Sequence, residues 1–505
     1  MESKCAFSNE TYLNTQTDEI LKKIETFDNR LYLEFGGKLL FDYHASRVLP
    51  GYDPNVKMRL LQQLKDHAEI LLCIYAGDIE RKKLRADFGI TYDVDALKLI
   101  DDLRDWGLLI RGVVITRFQD QPAAILFKNK LKRRGVKVYT HRFTKGYPTD
   151  IDLIVSDEGY GANTRIPCER PLVVVTGPGP GSGKLATCLS QMYHEYKNGI
   201  SAGYAKFETF PIWDLPLKHP VNIAYEAATA DIGDFNMIDP HHLEAYGKAV
   251  VNYNRDVEVF PVLKRILNKL TSDHAPYKSP TDMGVNRASK GILDDEAVQR
   301  AACQEIIRRY FRYSCEYAMG FVEKDTVQRT ELLMRDLNLK PEDREVVLPA
   351  RRAAEEAVLR KKGHKGIYCG ASVRLHDGTL VTGKNSPLMH AASSLVLNAI
   401  KTLAGIPDQI ALLSETVMTS IANLKQDILR SNSLSLNLEE TLISLSISAA
   451  TNPSVQVALA KLKELRGCEV HMTHIPTSGD EAGLKRLGVN LTSDPNFSSK
   501  NLFTY

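Results

Sequence analysis

The residues best suited to chemistry lie in one stretch, 171–190, where an apolar run leads into glycines and a lysine. The run at 172–175 is apolar and β-branched, which predicts a strand buried on both faces. This run is followed by Gly177, Gly179, Gly181, Gly183 and Lys184, and then by a helical stretch. Glycines let backbone N–H groups close on an anion, and a helix N-terminus and a lysine add positive charge. The stretch therefore predicts a phosphate-binding loop at 177–184.

The same stretch resembles the phosphate-binding loop of nucleotide triphosphatases, G-x-x-x-x-G-K-[ST], with two departures. Pro178 stands where the first glycine belongs, one residue after Gly177. Leu185 stands where the metal-binding hydroxyl belongs, and the nearest hydroxyls are those of Ser182 and Thr187. The resemblance implies nucleotide binding with ATP and Mg²⁺ as cofactors. The two departures weaken the prediction of Mg-ATP hydrolysis more than the prediction of anion binding. A glycine turn that binds nothing is the alternative.

An acidic pair, Asp157 and Glu158, directly follows an apolar run at 152–156 that we predict to be a strand. At the carboxyl end of a buried strand beside a phosphate loop, such a pair would hold Mg²⁺ through water or act as a general base. A plain polar exit from the strand is the alternative interpretation.

Residues 201–256 form a long segment rich in aromatic side chains, prolines and potential ligands. A connection of this length inside a compact domain is usually functional, and its aromatic content argues against disorder. We expect a substrate lid over a pocket. Lys206 is its catalytic candidate, and the candidate substrate contacts are Glu208, His219 and Asp231.

Histidines and cysteines do not predict a metal centre. Asp239, His241 and His242 could bind a metal, but an Asp-Pro-His-His sequence more often begins a helix. The eight cysteines include no CxxC pair, so neither a zinc ribbon nor a disulfide framework is expected. A reducing cytoplasm is the natural compartment for such a chain, and the metal is left unassigned.

The order of predicted elements favours an α/β fold. Strands alternate with helices of 10–15 residues in the first half, which predicts a doubly wound, mainly parallel sheet. Ligands bind such sheets beyond the carboxyl ends of the strands, where strand order reverses, and the glycine loop lies at such an end. We expect a phosphate-binding domain over 1–270, a helical connector over 271–362 and a smaller α/β domain over 363–505.

Composition narrows the function classes. A chain of 505 residues is expected to form two or three domains. A net charge of +3 argues against nucleic-acid binding through bulk charge. The first residues hold no apolar signal core, and no apolar run approaches membrane-spanning length. We therefore expect a cytoplasmic protein that has no membrane or nucleic-acid partner and binds a small phosphorylated ligand. We also expect a homo-oligomer whose interface lies on the helical connector.

The segment from Gly366 resembles the opening of the cytidine-deaminase fold: a strand, an Asp-Gly turn at 377–378, and a helix that begins with His390 and Ala391. The chemistry of that fold needs a zinc ion with three ligands and a glutamate that shuttles protons. Ala392 stands in place of the glutamate, and no P-C-x-x-C sequence follows. The resemblance thus implies a catalytically silent relative.

Several segments together resemble a bacterial family of similar length that is catalogued only as a domain of unknown function. They are EFGGKLLFD, VVVTGPGPGSGKLATCLS, KFETFPIWDLPLKHP, NMIDPHHLEAYG and the terminal CEVHMTHIP and LGVNLTSDP. The likeness spans nearly the whole chain and implies a shared architecture without a reaction. The chain has neither the HExxH of metalloproteases nor the G-x-S-x-G of serine hydrolases.

Three functions are consistent with these features. The first is a transferase or ligase that binds a nucleotide at 177–184 and uses it for phosphoryl transfer or for ATP-dependent activation of a carboxylate. The second is an enzyme for a phosphometabolite or sugar nucleotide without NTP hydrolysis, favoured by the missing hydroxyl after Lys184. The third is a non-enzymatic oligomeric scaffold that binds a ligand in its sheet domain.

Overall fold

The computed structural model describes residues 5–28, 30–85, 89–272, 275–364, 366–430 and 433–499. These residues form two compact units. The N-terminal unit comprises the chain up to Thr229 together with Asp234–Ala302. The C-terminal unit comprises Ala230–Gly233 and the chain from Cys303 onward. The expected three-part division stays a prediction.

A six-stranded parallel sheet organises the N-terminal unit. Its strands are β1 (Leu31–Phe35), β2 (Ala68–Tyr75), β3 (Ile110–Thr116), β4 (Val138–Thr140), β5 (Leu172–Thr176) and β6 (Gly203–Phe207). The spatial order is β4-β3-β2-β5-β1-β6. Strands β1 and β5 are buried along their whole length, as continuous apolar runs in parallel sheets are. The predicted doubly wound α/β fold is thus confirmed.

Strand order reverses between β1 and β5. The chain leaves β1 to form β2 on the far side of β5, and it leaves β5 to form β6 on the far side of β1. Right-handed crossovers therefore carry the two connections over opposite faces of the sheet. The loops after β1 and β5 therefore lead to opposite faces, and the place between them, at the carboxyl ends of the strands, is where doubly wound sheets form a ligand crevice.

Helices surround this sheet. They are α1 (Asn9–Glu25), α2 (Tyr43–Val48), α3 (Val56–Gln63), α4 (Ala76–Glu80), α5 (Tyr92–Asp105), α6 (Pro122–Arg133), α7 (Ile151–Ile154), α8 (Lys184–Lys197), α9 (Pro220–Ala228), α10 (Pro240–Tyr246) and α11 (Asn254–Leu270). Helices α5 and α6 share one buried cluster with β2 and β3, to which Ile100, Phe127, Leu72 and Ile115 belong. Two short strands, β7 (Asn236–Ile238) and β8 (Val251–Tyr253), pair antiparallel before α11.

The C-terminal unit holds a separate mixed sheet of four strands. Its strands are β9 (Gly370–Arg374), β10 (Leu380–Lys384), β11 (Glu469–Met472) and β12 (Asn490–Ser493), in the order β10-β9-β11-β12. The predicted Asp-Gly turn joins β9 to β10, with Gly378 at φ +90°. Helix α12 (Asp295–Ala318) leads into this unit, which also contains α13 (Lys324–Asp336), α14 (Val347–Leu359), α15 (Ala391–Ala404), α16 (Glu415–Asn423), α17 (Leu438–Ala449), α18 (Pro453–Ala460) and α19 (Ser478–Leu487).

One predicted strand is wrong. Residues 151–154 form the single helical turn α7 instead of a strand over 152–156. The side chain of Asp150 accepts a hydrogen bond from the backbone N–H of Leu153, which starts a helix at that point. Ile151 and Ile154 are the buried positions, and their spacing of three residues suits a helical turn.

A helix that crosses a lipid bilayer needs about 20 predominantly apolar residues. No helix within the part of the chain that the structure describes combines that length with that hydrophobicity.

Candidate functional site

The glycine loop connects β5 to α8 and is shaped by contacts with β3. Gly183 caps α8 with φ +88°, and a Cβ there would lie 2.8 Å from the side chain of Thr116. Thr116 Oγ1 donates to the carbonyl of Ser182 at 2.8 Å, and the guanidinium of Arg117 donates to the carbonyl of Gly181. The positive φ and the lack of space both require glycine at position 183.

The loop leaves a set of backbone donors without acceptors. No side chain caps α8. Within the described residues, no backbone or side-chain acceptor binds the amide N–H groups of Ser182, Gly183, Lys184, Leu185 and Ala186. Amides without acceptors at the start of a fourteen-residue helix can bind an anion, and anion binding at 177–184 stays a prediction.

Two hydroxyl groups at the loop are buried and also lack partners. Thr176 ends β5 and Ser182 lies inside the loop, and each is only 1% exposed. Neither Thr176 Oγ1 nor Ser182 Oγ has a hydrogen-bond partner among the described residues. Ser182 Oγ would lie 2.6 Å from a Cβ on Gly177, so this hydroxyl is held against the first turn of the loop.

Lys184 lies opposite a buried carboxylate that sequence reasoning missed. Lys184 Nζ is 3.8 Å from Glu34 Oε1, and Glu34 is the fourth residue of β1, on the other side of the crevice. Glu34 also accepts a hydrogen bond from the hydroxyl of Tyr204 at 2.8 Å. A single carboxylate inside the apolar strand LYLEF, just before a glycine pair, was the available signal.

Glu34 joins the glycine loop to a second group of charges on β6. In the register of the sheet, Glu34 lies directly opposite Lys206. Lys206 Nζ is 2.7 and 2.8 Å from the two carboxylate oxygens of Asp256 and 3.3 Å from Glu208 Oε1, and it also donates to the hydroxyl of Tyr253. We call Glu34, Lys206, Glu208, Tyr253 and Asp256 the carboxylate–lysine cluster.

Charges in this cluster are unbalanced, and this shifts the pKa values. Burial opposes the charge of Lys206, but Asp256, Glu208 and Glu34 together raise its pKa above the ordinary value, so it stays protonated. Burial raises the pKa of Glu208 to about 7; Lys206 opposes this effect, and the carboxylates of Asp256 and Glu34 reinforce it. Glu208 is therefore the group in the cluster that can gain or release a proton near neutral pH.

A cationic and aromatic rim borders the other side of the loop. The guanidinium of Arg117 lies 3.6 Å from the centre of the Tyr75 ring. A Cβ on Gly179 would lie 2.5 Å from the hydroxyl of Tyr92, so glycine permits this close approach. Lys83 Nζ lies 4.8 Å from the centre of the Tyr92 ring. The rim offers positive charge and ring faces next to the loop.

The structure does not bring the acidic pair Asp157 and Glu158 to the loop. Asp157 accepts hydrogen bonds from Tyr193 and Lys197, near the end of α8, whereas the loop precedes its first residue. Tyr193 follows Lys184 by nine residues, which corresponds to about 14 Å of helix. Glu158 pairs with Lys145 at the surface. The run before the acidic pair forms a helical turn and not a strand, and the carboxylate that lies 3.8 Å from Lys184 Nζ is Glu34.

Thr187, His219 and Asp231 each contact another side chain of their own unit. Thr187 is fully buried and its hydroxyl accepts from the thiol of Cys73. His219 caps α9 and lies 3.1 Å from Asp295. Asp231 belongs to the C-terminal unit and accepts from Tyr313 at 3.0 Å. Of the expected lid residues, only Lys206 and Glu208 meet near the crevice.

The candidate metal ligands at 239–242 and at His390 lie at helix starts. Among the described residues, no group of three or more His, Cys, Asp and Glu side chains is arranged to hold a metal ion. Asp239 caps α10 by accepting from the amides of His241 and His242, which confirms the helix start. His390 likewise begins α15, with Nδ1 at 2.7 Å from Asp480 Oδ2.

Comparison with known proteins shows to which family the chain is related over nearly its whole length. The family model described as domain of unknown function DUF1846, N-terminal, matches residues 5–338, and the C-terminal model matches residues 342–503. A UPF0371 protein of Clostridium botulinum (strain ATCC 19397 / Type A) is 56% identical over 501 residues, 99% of both chains. A UPF0371 protein of Clostridium tetani (strain Massachusetts / E88) is 55% identical over 501 residues, again 99% of both. The chain therefore belongs to the family described as domain of unknown function DUF1846.

Proposed function

We propose that this protein binds a phosphate-bearing ligand in the crevice between β1 and β5, with the glycine loop around the phosphate. The observation that carries the proposal is the loop itself, where unpartnered amides and the two buried hydroxyls of Thr176 and Ser182 lie beside Lys184. Each buried hydroxyl without a partner costs about 1–3 kcal/mol. A phosphate has the oxygens that would complete all of these donors.

We assign the reaction to the carboxylate–lysine cluster. Protonated Glu208 can donate a proton to the bound ligand or, once ionised, accept one. The ammonium group of Lys206 stabilises negative charge that develops nearby. Glu34 links this cluster to Lys184, so a phosphate in the loop and a reacting group at β6 would belong to one ligand. An enzyme is accordingly favoured over a scaffold.

The substrate class that the loop supports best is a phosphometabolite or a sugar nucleotide, without NTP hydrolysis. Phosphoryl transfer from a nucleoside triphosphate needs Mg²⁺ held by a hydroxyl and a free carboxylate. Leu185 stands at the hydroxyl position, Thr187 is bound to Cys73, and Glu34 is shared with Lys184.

A nucleotide-dependent transferase or ligase is the second candidate. It is favoured by the order of strand, glycine loop, lysine and helix, and by the rim of Arg117 and Tyr75. ATP and Mg²⁺ would then be the cofactors, and Ser182 would have to supply the metal-binding hydroxyl. The eight free cysteines suit a reducing cytoplasm in either case.

Isothermal titration calorimetry separates these candidates. The titrants are phosphate, pyrophosphate, a panel of sugar phosphates, UDP-sugars, and ATP with and without Mg²⁺. We expect heat from sugar phosphates or UDP-sugars, loss of that heat in S182A and K184M, and unchanged binding in K197A, a control at the far end of α8. Binding of ATP only with Mg²⁺ would select the second candidate, and no heat from any titrant at millimolar concentration would contradict both.

A further inference from the structure

Helix α17 packs Leu438, Leu445 and Ala449 into the core of the C-terminal unit and leaves two further apolar side chains exposed. The side chains of Thr441, Ser444 and Ser448 are buried, whereas Ile443 and Ile447 are 63% and 60% exposed. The two isoleucines lie four residues apart and therefore share one face of the helix. A helix on the surface of a unit normally turns its apolar residues toward the core. Ile443 and Ile447 therefore form an apolar surface on the outer face of α17, apart from the face that packs on the core.

A second apolar group lies beside this face. Helix α16 continues through a π-helical turn, Leu424–Ile428, in which Lys425 is buried. Lys425 Nζ is 2.9 Å from Glu440 Oε2, so this turn is fixed against α17. Glu440 lies three and seven residues before the two isoleucines, on their face of the helix. The ion pair thus holds the two segments next to each other.

Together the two segments present one apolar patch. Its members are Leu424, Ile428, Leu429, Ile443 and Ile447, each of which is at least 48% exposed. At about 100 Å² for each exposed side chain, the patch offers roughly 500 Å² of apolar surface. A standard interface takes about 800 Å² from each partner, and roughly 65% of a homodimer interface is apolar, which is also close to 500 Å². The patch therefore has the apolar area that one side of a homodimer needs.

We propose that this patch is the interface between two copies of this chain, related by a twofold axis. A twofold interface requires a surface that is complementary to itself. An apolar patch meets this requirement, and the exposed Asp427 and Arg430 on the same turn supply both signs of charge at its edge. Asp427 of one copy can then face Arg430 of the other. A membrane surface would instead favour a basic edge.

Sedimentation velocity and light scattering on the full chain test this proposal. We expect a concentration-dependent dimer in the wild type and at least a 100-fold higher dimer dissociation constant in I443D/I447D. The matched control is L126D, at a leucine that is 70% exposed on α6 of the N-terminal unit, and it should dimerise as the wild type does. Unchanged circular dichroism establishes that each variant folds.

A charge exchange gives a second readout. D427R should weaken the dimer by about 5-fold because it places like charges at the edge of the interface, and D427R/R430D should restore it. A monomeric wild type at every concentration would overturn the proposal, as would an I443D/I447D variant that dimerises normally.

Discussion

Each of the two units contains a buried group of charged side chains, and the two groups differ in how their charges are paired. In the C-terminal unit, Arg344 is 1% exposed, forms an ion pair with Glu469 at 2.5 Å and donates to Thr492 and to the carbonyl of Asn490. Burial lowers the pKa of Arg344 to about 10, which leaves it charged at neutral pH, while Arg344 and Arg308 hold the pKa of Glu469 below its ordinary value.

The carboxylate–lysine cluster of the N-terminal unit lacks this balance. Three carboxylates surround Lys206, the pKa of Glu208 is raised, and unpartnered hydroxyls and amides lie at the adjoining loop. An excess of carboxylates around one buried cation raises a carboxyl pKa and leaves capacity for a proton, whereas a carboxylate beside arginines stays ionised. The sign of the excess charge thus separates the two groups: three carboxylates act on Lys206, whereas Glu469 contacts both Arg344 and Arg308.

The largest expected effect tests the structural side of the comparison. R344M removes one partner of a buried ion pair and leaves Glu469 without its closest cation. We expect a loss of about 3–5 kcal/mol of unfolding free energy, measured by urea denaturation. R486A, which breaks an exposed pair with Glu439 in the same unit, should cost less than about 1 kcal/mol. Equal losses in both variants would contradict the assignment.

The second prediction concerns the loop. K184M should weaken binding of the phosphate-bearing ligand by about 30- to 100-fold, because a charge-assisted hydrogen bond contributes roughly 2–3 kcal/mol. Its effect on the free energy of unfolding should be smaller than that of R344M, since Glu34 keeps the hydrogen bond from Tyr204. Titration calorimetry and urea denaturation of the same samples give both quantities. A large stability loss with unchanged affinity would assign Lys184 a structural role.

The third prediction uses pH. The pKa of Glu208 rises from 4.5 to about 7 in the folded protein, so folded molecules keep a proton that unfolded chains release. This group's contribution to stability therefore falls as the pH rises from about 4.5 to about 7, and it is constant above that range. We expect the wild type to lose about 2 kcal/mol more than E208Q across this window. Parallel slopes in the two proteins would contradict the raised pKa.

The fourth prediction separates a ligand-binding hydroxyl from a structural one. T176V removes a buried hydroxyl that has no partner among the described residues while keeping the side-chain volume. Without ligand, the free energy of unfolding should stay the same or rise by up to about 1 kcal/mol, because no hydrogen bond is lost. Affinity for the phosphate-bearing ligand should fall by about 5-fold. A destabilised T176V with normal affinity would show that the hydroxyl has a structural partner.

The smallest expected effect is that of D157A. Asp157 lies at the surface and contacts the far end of α8. We expect the affinity for the ligand to match that of the wild type in calorimetry. A clear loss of affinity in D157A would show that the acidic pair belongs to the binding site, and it would contradict the assignment of Glu34.

Local sequence patterns were sufficient to predict some features of the fold and not others. Alternating strands and helices, the glycine loop and the helix starts at Asp239 and His390 were all predictable, because each depends on residues close together in the chain. The strand over 152–156 was wrong because a three-residue apolar run fits a buried helical turn as well as a strand. The side-chain cap from Asp150 decided between them.

The sequence by itself determined the parallel sheet, the glycine turn between β5 and α8 and the family of the chain, since periodicity and glycine spacing act within one element. Only the tertiary structure decided which carboxylates surround the lysines. Glu34 meets Lys184 because β1 and β5 are neighbours in the sheet, and Asp256 meets Lys206 across fifty residues of chain. Such encounters depend on strand order and on the path of the connections, and no local pattern of residue types encodes them.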